Sequence, residues 1–537
     1  MSSAQILRRI PGIRALLIAC LPFWTLDAGA VDQNSQAHRR SFVTKHVTEI
    51  GGHEIPYIAT VEEFIVNNKA GHPALSLFTT SYVRSDVSLD ANRPVVFLFN
   101  GGPSAAAIGV HMQFGPEQDA PGASAGTAAA IGGASTSTST SPAASASSAA
   151  ATTRFVHNPY SLLDVADLVV FDPAETGFSR VLDDADRPYF YSTAGDCDSL
   201  AQLVVAWLHH HARTQSQVYL LGESYGSVRQ VVTGSLLARR GVTLSGQIIL
   251  GDSIFLTETS RRTHNIISTA VSLPLLAMTA AYHGKADQKG KTDAAFLDEV
   301  YAFALSDYLL ALSKGYAITD TEKRATAERL AAYTGISADY YMTHGLTIAK
   351  QDFNRQLLAG KLLNANDTRV ATPLPPPPKN QEEAQKQQAG ALLDPYHRIY
   401  TDYMHQALQV SLPGLDYRVA APGSFESWDW GPGCNDYLQS AGLCNPDSVH
   451  PSVFADYDWP EMLKRQFANP NLRVMIVAGY YDGLSSIGTH RYLAAQLGYP
   501  KDRFAIHEYA AGHMTAADPK AQPLVASEIH KFLTASP

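Results

Sequence analysis

Residues 222–226 read Gly-Glu-Ser-Tyr-Gly and follow directly on the apolar run Gln217-Val-Tyr-Leu-Leu221. A serine between two glycines at the end of a buried strand narrows the fold more than any other feature of the chain. The strand-to-helix turn it implies is strained, and a side chain flanking the serine would clash. That turn presents the Ser224 hydroxyl at the end of a sheet, where a base can reach it. Ser224 is the candidate nucleophile.

A serine nucleophile needs a base, and the base needs an acid to orient it. Downstream, Arg473-Val-Met-Ile-Val-Ala478 reads as a buried strand ending in Gly479-Tyr-Tyr-Asp-Gly483. Asp482 therefore falls at the carboxyl end of a strand, where open α/β sheets place their chemistry. A second short strand, Phe504-Ala-Ile-His-Glu508, leads into Ala510-Ala-Gly-His-Met514, which makes His513 the candidate base. An aspartate before glycine is often only a turn former, and with 19 histidines one in a loop is unremarkable by itself. The order Ser, Asp, His, with both partners at strand ends, is what favours a triad. His507 is the rival base, but it lies inside the strand pattern and reads as structural. His209-His210-His211 closes a helical stretch and reads as a solvated helix end, with no second ligand cluster to suggest a metal.

Upstream, Pro94-Val-Val-Phe-Leu-Phe-Asn-Gly-Gly-Pro-Ser104 is another buried strand running into a glycine-rich loop. Such a loop can turn its amides toward a developing oxyanion, and the N–H groups of Gly102 and Tyr225 are the natural pair. With these residues in view, the chain resembles the serine carboxypeptidase family. Asn100-Gly-Gly-Pro103, Asn158-Pro-Tyr-Ser161, Phe171-Asp-Pro173 with Gly177-Phe-Ser179, and Gly222-Glu-Ser-Tyr225 occur in the family's order, completed by Asp482 and Gly512-His513. The likeness runs over roughly residues 45–535, interrupted by insertions.

The resemblance implies hydrolysis of a C-terminal peptide bond through an acyl-enzyme on Ser224. It also implies that Asn100, Gly101 and Glu223 bind the substrate's terminal carboxylate. Glu223 must then be protonated to hydrogen-bond a carboxylate, which favours acidic conditions; the plainer reading is a carboxylate that braces the elbow. Three departures bear on specificity. Pro103-Ser-Ala-Ala106 replaces the family's Pro-Gly-Cys-Ser, Glu175 stands where a glycine is usual, and the second carboxyl often found along the loop has no obvious counterpart. Gln113 falls near that place, and Glu117 lies just beyond it.

The strand candidates 54–68, 75–86, 94–100, 167–172, 217–221, 246–251, 473–478 and 504–509 are interleaved with helical stretches such as 196–212 and 226–240. This predicts an α/β-hydrolase fold: a mostly parallel central sheet with helices on both faces. The core would run over 31–253 and 419–537. Between them, 254–418 loses the strand rhythm and reads as an inserted, mostly helical cap. Tyr282-His283, Tyr340-Tyr341 and Trp428-Asp-Trp430 are candidate walls of the cleft, although aromatic pairs are more often core. Residues 118–152, almost entirely Ala, Ser, Thr and Gly, read as a mobile insertion, and 372–390 as a Pro/Gln-rich flexible excursion. Asn366-Asp-Thr368 matches a glycosylation sequon.

The formal charge of −9, with no basic tract, argues against nucleic acid as a partner. The expected partner is a peptide or small acyl substrate, and no cofactor or metal is implied. Residues 1–30 read as an export signal: Arg8, Arg9 and Arg14 precede Ala15-Leu-Leu-Ile-Ala-Cys-Leu21, and Ala28-Gly-Ala30 offers a cleavage site. The product would be periplasmic or secreted. Leu17-Ile-Ala-Cys20 gives a second reading, a lipid anchor at Cys20; no segment is long and apolar enough to span a membrane. Cys434 and Cys444 bracket a short loop and would pair in an oxidising compartment, leaving Cys197 as a buried thiol. An esterase or acyltransferase using the same triad, and a binding module on the same scaffold, remain the alternatives to a carboxypeptidase.

Overall fold

The computed structural model describes residues 40–88, 93–119, 155–254, 265–376, 400–430 and 459–535. The expected export signal with Cys20, most of 118–152, residues 377–390, and Cys434 and Cys444 lie outside these.

Nine strands form one sheet: β1 (Ser41–Ile50), β2 (His53–Asn67), β3 (Pro73–Arg84), β4 (Val95–Phe99), β5 (Asp167–Phe171), β6 (Val218–Glu223), β7 (Leu244–Leu250), β8 (Arg473–Gly479) and β9 (Phe504–Tyr509). Their spatial order is β1-β2-β3-β5-β4-β6-β7-β8-β9, with the two-residue strand Arg180–Val181 added beside β3. From β5 to β9 every pairing is parallel, while β1, β2, β3 and β5 pair antiparallel. The fold is that of the α/β-hydrolases.

β1 is absent from the sequence reading for a physical reason. Two of its apolar residues, Val43 and Val47, are exposed, so apolar positions do not mark its buried face.

Alternation along the central strands feeds two cores. Val96 and Leu98 of β4, Tyr219 and Leu221 of β6, and Ile248 and Leu250 of β7 face one way, onto α1 (Ile108–Phe114) and the C-terminal helix Gln522–Thr534. Val95, Phe97 and Phe99, with Val218, Leu220 and Ile249, face the other way. They meet α2 (Thr193–His210), α3 (Gly226–Arg239), Trp459–Gln466 and Ile487–Leu497. Strands buried on both faces read as continuous apolar runs, which is why the central ones were legible.

A third apolar cluster belongs to the segment between β7 and β8. There α4 (Ile266–Tyr282), α5 (Asp293–Phe303) and α6 (Asp320–Thr334) pack together and rest on Tyr480, Tyr481 and Ile487, just beyond β8. This helical layer also holds a small hairpin, Lys361–Leu363 with Ala371–Pro373. Tyr400, Tyr403 and Tyr417, placed by the sequence reading in the cap, pack instead into the core on the α1 face. No helix among the described residues is long and apolar enough to cross a membrane.

Candidate active site

The elbow forms because β6 leads straight into α3 through a residue with a left-handed backbone. Ser224 has φ +58°, and its N–H is held by the carbonyl of Leu250 at 2.9 Å. The glycines are required by close approach. A Cβ on Gly222 would lie 2.5 Å from the Gly226 carbonyl oxygen and 2.6 Å from the Phe99 ring. One on Gly101 would lie 2.5 Å from the Tyr225 nitrogen, so the Asn-Gly-Gly loop is pressed directly against the elbow. Neither the Gly102 nor the Tyr225 N–H donates a hydrogen bond within the described residues.

The candidate acid and base meet across the same end of the sheet. His513 Nδ1 lies 2.8 Å from Asp482 Oδ2, and both side chains are buried. The other Asp482 oxygen accepts the N–H groups of Leu484 and Ser485, each at 2.9 Å. His513 Nε2 is buried and has no hydrogen-bond partner, Ser224 Oγ included. Burial works against charge on this imidazole. Asp482, then Glu223 and Asp252, outweigh it and raise its pKa above the ordinary histidine value. His507, the rival base, sits in β9 with its ring 3.9 Å from Glu528, outside this group.

Residues 78–229 match the family model of the serine carboxypeptidases. Over that stretch the chain is similar to those enzymes. It is a serine hydrolase. In fold it is similar to a prohormone-processing carboxypeptidase of Saccharomyces cerevisiae, Kex1Δp (11% identity, 89% of this chain and 91% of that one, TM-score 0.48). It is also similar to a thermostable carboxyl esterase of Bacillus coagulans (11%, 88% and 97%, 0.32) and a proline iminopeptidase of Mycobacterium smegmatis (12%, 91% and 99%, 0.31). Among curated proteins no sequence matches.

Asn100 and Glu223 form one corner beside the candidate nucleophile. Asn100 Oδ1 accepts the Val110 N–H at 3.0 Å, which turns its Nδ2 onto Glu223 Oε2 at 2.5 Å. The second Glu223 oxygen is buried without a partner. Burial lifts the Glu223 carboxyl to about 7, against the smaller opposing pulls of His513, Gln113 and Asn100. Of the two residues near the family's second carboxyl, Gln113 on α1 is the one beside Glu223. Glu117 lies in a short ladder opposite His157, where its charge is felt by Tyr57, Tyr82 and Tyr403. Glu175 is occupied structurally: it accepts the Val181 N–H at 2.9 Å and pairs with Arg187 and Arg418.

Three features of the site escaped sequence reasoning. Arg229 on α3 is fully buried, grips Asp196 with two nitrogens (2.8 and 3.2 Å) and holds the Asn100 carbonyl at 2.5 Å. Asp252, just past β7, carries a buried carboxylate 3.1 Å from His490 and close enough to His513 to favour its charge. Its placement at a strand end was the available signal. The third is the turn of the cap hairpin. The Asn366 carbonyl accepts the His513 N–H at 2.6 Å, Thr368 N–H bonds the Tyr481 carbonyl at 3.0 Å, and Arg369 reaches the Ala510 carbonyl at 2.8 Å. Arg369 also pairs with Asp367 and with Asp518. The sequon's Thr368 is thus buried, its hydroxyl 2.6 Å from that of Thr279.

The aromatic candidates divide. Tyr341 is core, and Tyr340 stacks on His344. Tyr282, more than half exposed, leans on Tyr481 beside Asp482. Trp428 and Trp430 both set their edges against Tyr225. Cys197 is a free, buried thiol.

Proposed function

We propose that this chain is an exported serine-type carboxypeptidase. Ser224 Oγ attacks the carbonyl of the last peptide bond while His513 Nε2 takes its proton. The N–H groups of Gly102 and Tyr225 stabilise the oxyanion, and Asp482 stabilises the imidazolium. Collapse of the tetrahedral intermediate passes that proton to the departing amino group and leaves an acyl ester on Ser224. Water, deprotonated by His513, then releases the shortened peptide and restores the serine.

The observation that carries the exopeptidase reading is Glu223. A buried carboxyl with a pKa of about 7, held by Asn100 and with one oxygen unpartnered, stands next to the nucleophile. In its neutral form it donates a hydrogen bond to a terminal carboxylate; ionised, it repels one. Export rests on the basic and apolar N-terminal segment with its small-residue cleavage site.

The test compares blocked dipeptides with a free C-terminus, their C-terminal amides and matched esters across pH, with Ser224→Ala as control. That substitution is expected to cost about 10⁴-fold or more in kcat. His513 must be neutral to act as base, so every substrate loses rate on acidification. The Glu223 charge acts on His513 alike for every substrate, and only the free carboxylate also meets Glu223 directly. The ratio of free-acid to amide turnover therefore isolates it, and is expected to be high below about pH 7 and to fall above it. Ester cleavage indifferent to the carboxylate at every pH would assign the triad to an esterase or acyltransferase instead.

A further inference from the structure

Two consecutive glutamates on β2 point to opposite sides of the sheet and meet different fates. Glu63 is satisfied by the Arg40 guanidinium, with two bonds of 2.8 Å, and by the Ser76 hydroxyl at 2.6 Å. Glu62 is equally buried, but its ion-pair partners are two imidazoles at the end of α2. His211 Nε2 lies 2.6 Å from Glu62 Oε1, and His210 Nε2 lies 3.5 Å from Glu62 Oε2. The ligating atoms of all three residues fall within 4.8 Å of one another, and no other trio among the described residues converges in this way. The histidine cluster that lacked a second ligand in the sequence acquires one from a strand 149 residues away.

We propose that Glu62, His210 and His211 bind a divalent transition cation, zinc by preference. Two imidazoles and a carboxylate are a ligand set suited to zinc. Ligands on a tetrahedral zinc stand about 3.3 Å apart, given bonds of roughly 2.0–2.1 Å. The His210 pair already matches that spacing, and the His211 pair needs only to open by less than about 1 Å to meet it. His210 is half exposed, which leaves the fourth position open to water. The rings are held in place: His211 stacks on Trp207 at 4.4 Å, and His210 meets Phe64 edge-on at 6.1 Å. A dication also supplies the buried Glu62 with a fixed opposite charge. The site is not part of the hydrolytic machinery. β3, β5 and β4 separate β2 from the nucleophile strand, about 19 Å at ordinary strand spacing. The cation would staple the end of α2 to the antiparallel edge of the sheet.

The experiment is equilibrium dialysis of the EDTA-stripped, full-length protein against zinc chloride, with melting curves in zinc and in EDTA. The wild type is expected to bind one equivalent of zinc more than Glu62→Gln and to melt higher in zinc than in EDTA. His210→Asn, a change at a half-exposed position, guards against misfolding of the buried variant. It is expected to lose the same equivalent while melting like wild type in EDTA. Equal zinc stoichiometry in wild type and His210→Asn would overturn the proposal and leave Glu62 as an ordinary carboxylate–imidazole pair.

Discussion

The nucleophile side and the acid–base side of this cleft are built by different means. Around Ser224 the geometry is local. The elbow, the Asn-Gly-Gly loop and Glu223 come from short stretches whose glycines are demanded by approaches of 2.5–2.6 Å. Behind them Arg229 ties Asn100 to Asp196 inside the core. Around His513 the geometry is borrowed. Its N–H, the strand-end loop at Tyr481 and the carbonyl of Ala510 are all held by residues 366–369 of the cap. One side resists change because the backbone has no room to move. The other is as well placed as the cap that grips it.

That contrast can be broken or sharpened by four variants. The largest effect is expected from Gly101→Ala, whose new Cβ would sit 2.5 Å from the Tyr225 nitrogen and displace an oxyanion donor. Its kcat should fall by about 10²–10³; an unchanged kcat would show that the nucleophile side is less tightly built than the contacts imply. Glu223→Gln comes next. It should lower kcat/KM for free-carboxylate substrates by about 10- to 100-fold, the worth of a charged hydrogen bond, and flatten the pH dependence of the free-acid to amide ratio. A variant that kept the fall above pH 7 would acquit Glu223.

On the other side, Arg369→Ala loosens the cap turn without touching any candidate catalytic atom. A drop in kcat of up to about tenfold at unchanged KM is expected from a displaced His513. Lost KM with intact kcat would mean that the turn shapes the substrate cleft rather than the base. The smallest effect belongs to Asp252→Asn. The Asp252 charge helps raise the His513 pKa, so its loss lets that pKa fall. The acid limb of the rate profile should then move toward lower pH. An unmoved limb would leave Asp482 and Glu223 as the groups that set it.

The legible and illegible parts of the molecule follow the same division. β4 to β8 were readable because strands buried on both faces are continuous apolar runs, and α3 because it follows such a strand at once. β1 was not, since its exposed valines give no apolar alternation. Strand-end position, a local signal, singles out Ser224, Asp482 and His513 as candidates. Gln113 and Glu117 could not be separated, because both follow the same loop and only packing decides which side chain turns toward Glu223. The cap hairpin was hidden among helical segments, its strands three residues each.

By itself, then, the sequence determined the parallel sheet, the elbow, and the chain order of the candidate nucleophile, acid and base. Each of these is dictated by backbone demands within a few residues, which composition and spacing record directly. Only the tertiary structure decided that Asn366 and Arg369 hold the loop of His513, that Asp252 shares its field, and that Glu62 faces His210 and His211. Those pairings join residues more than a hundred positions apart, and they are set by how layers pack, a property that no local pattern carries.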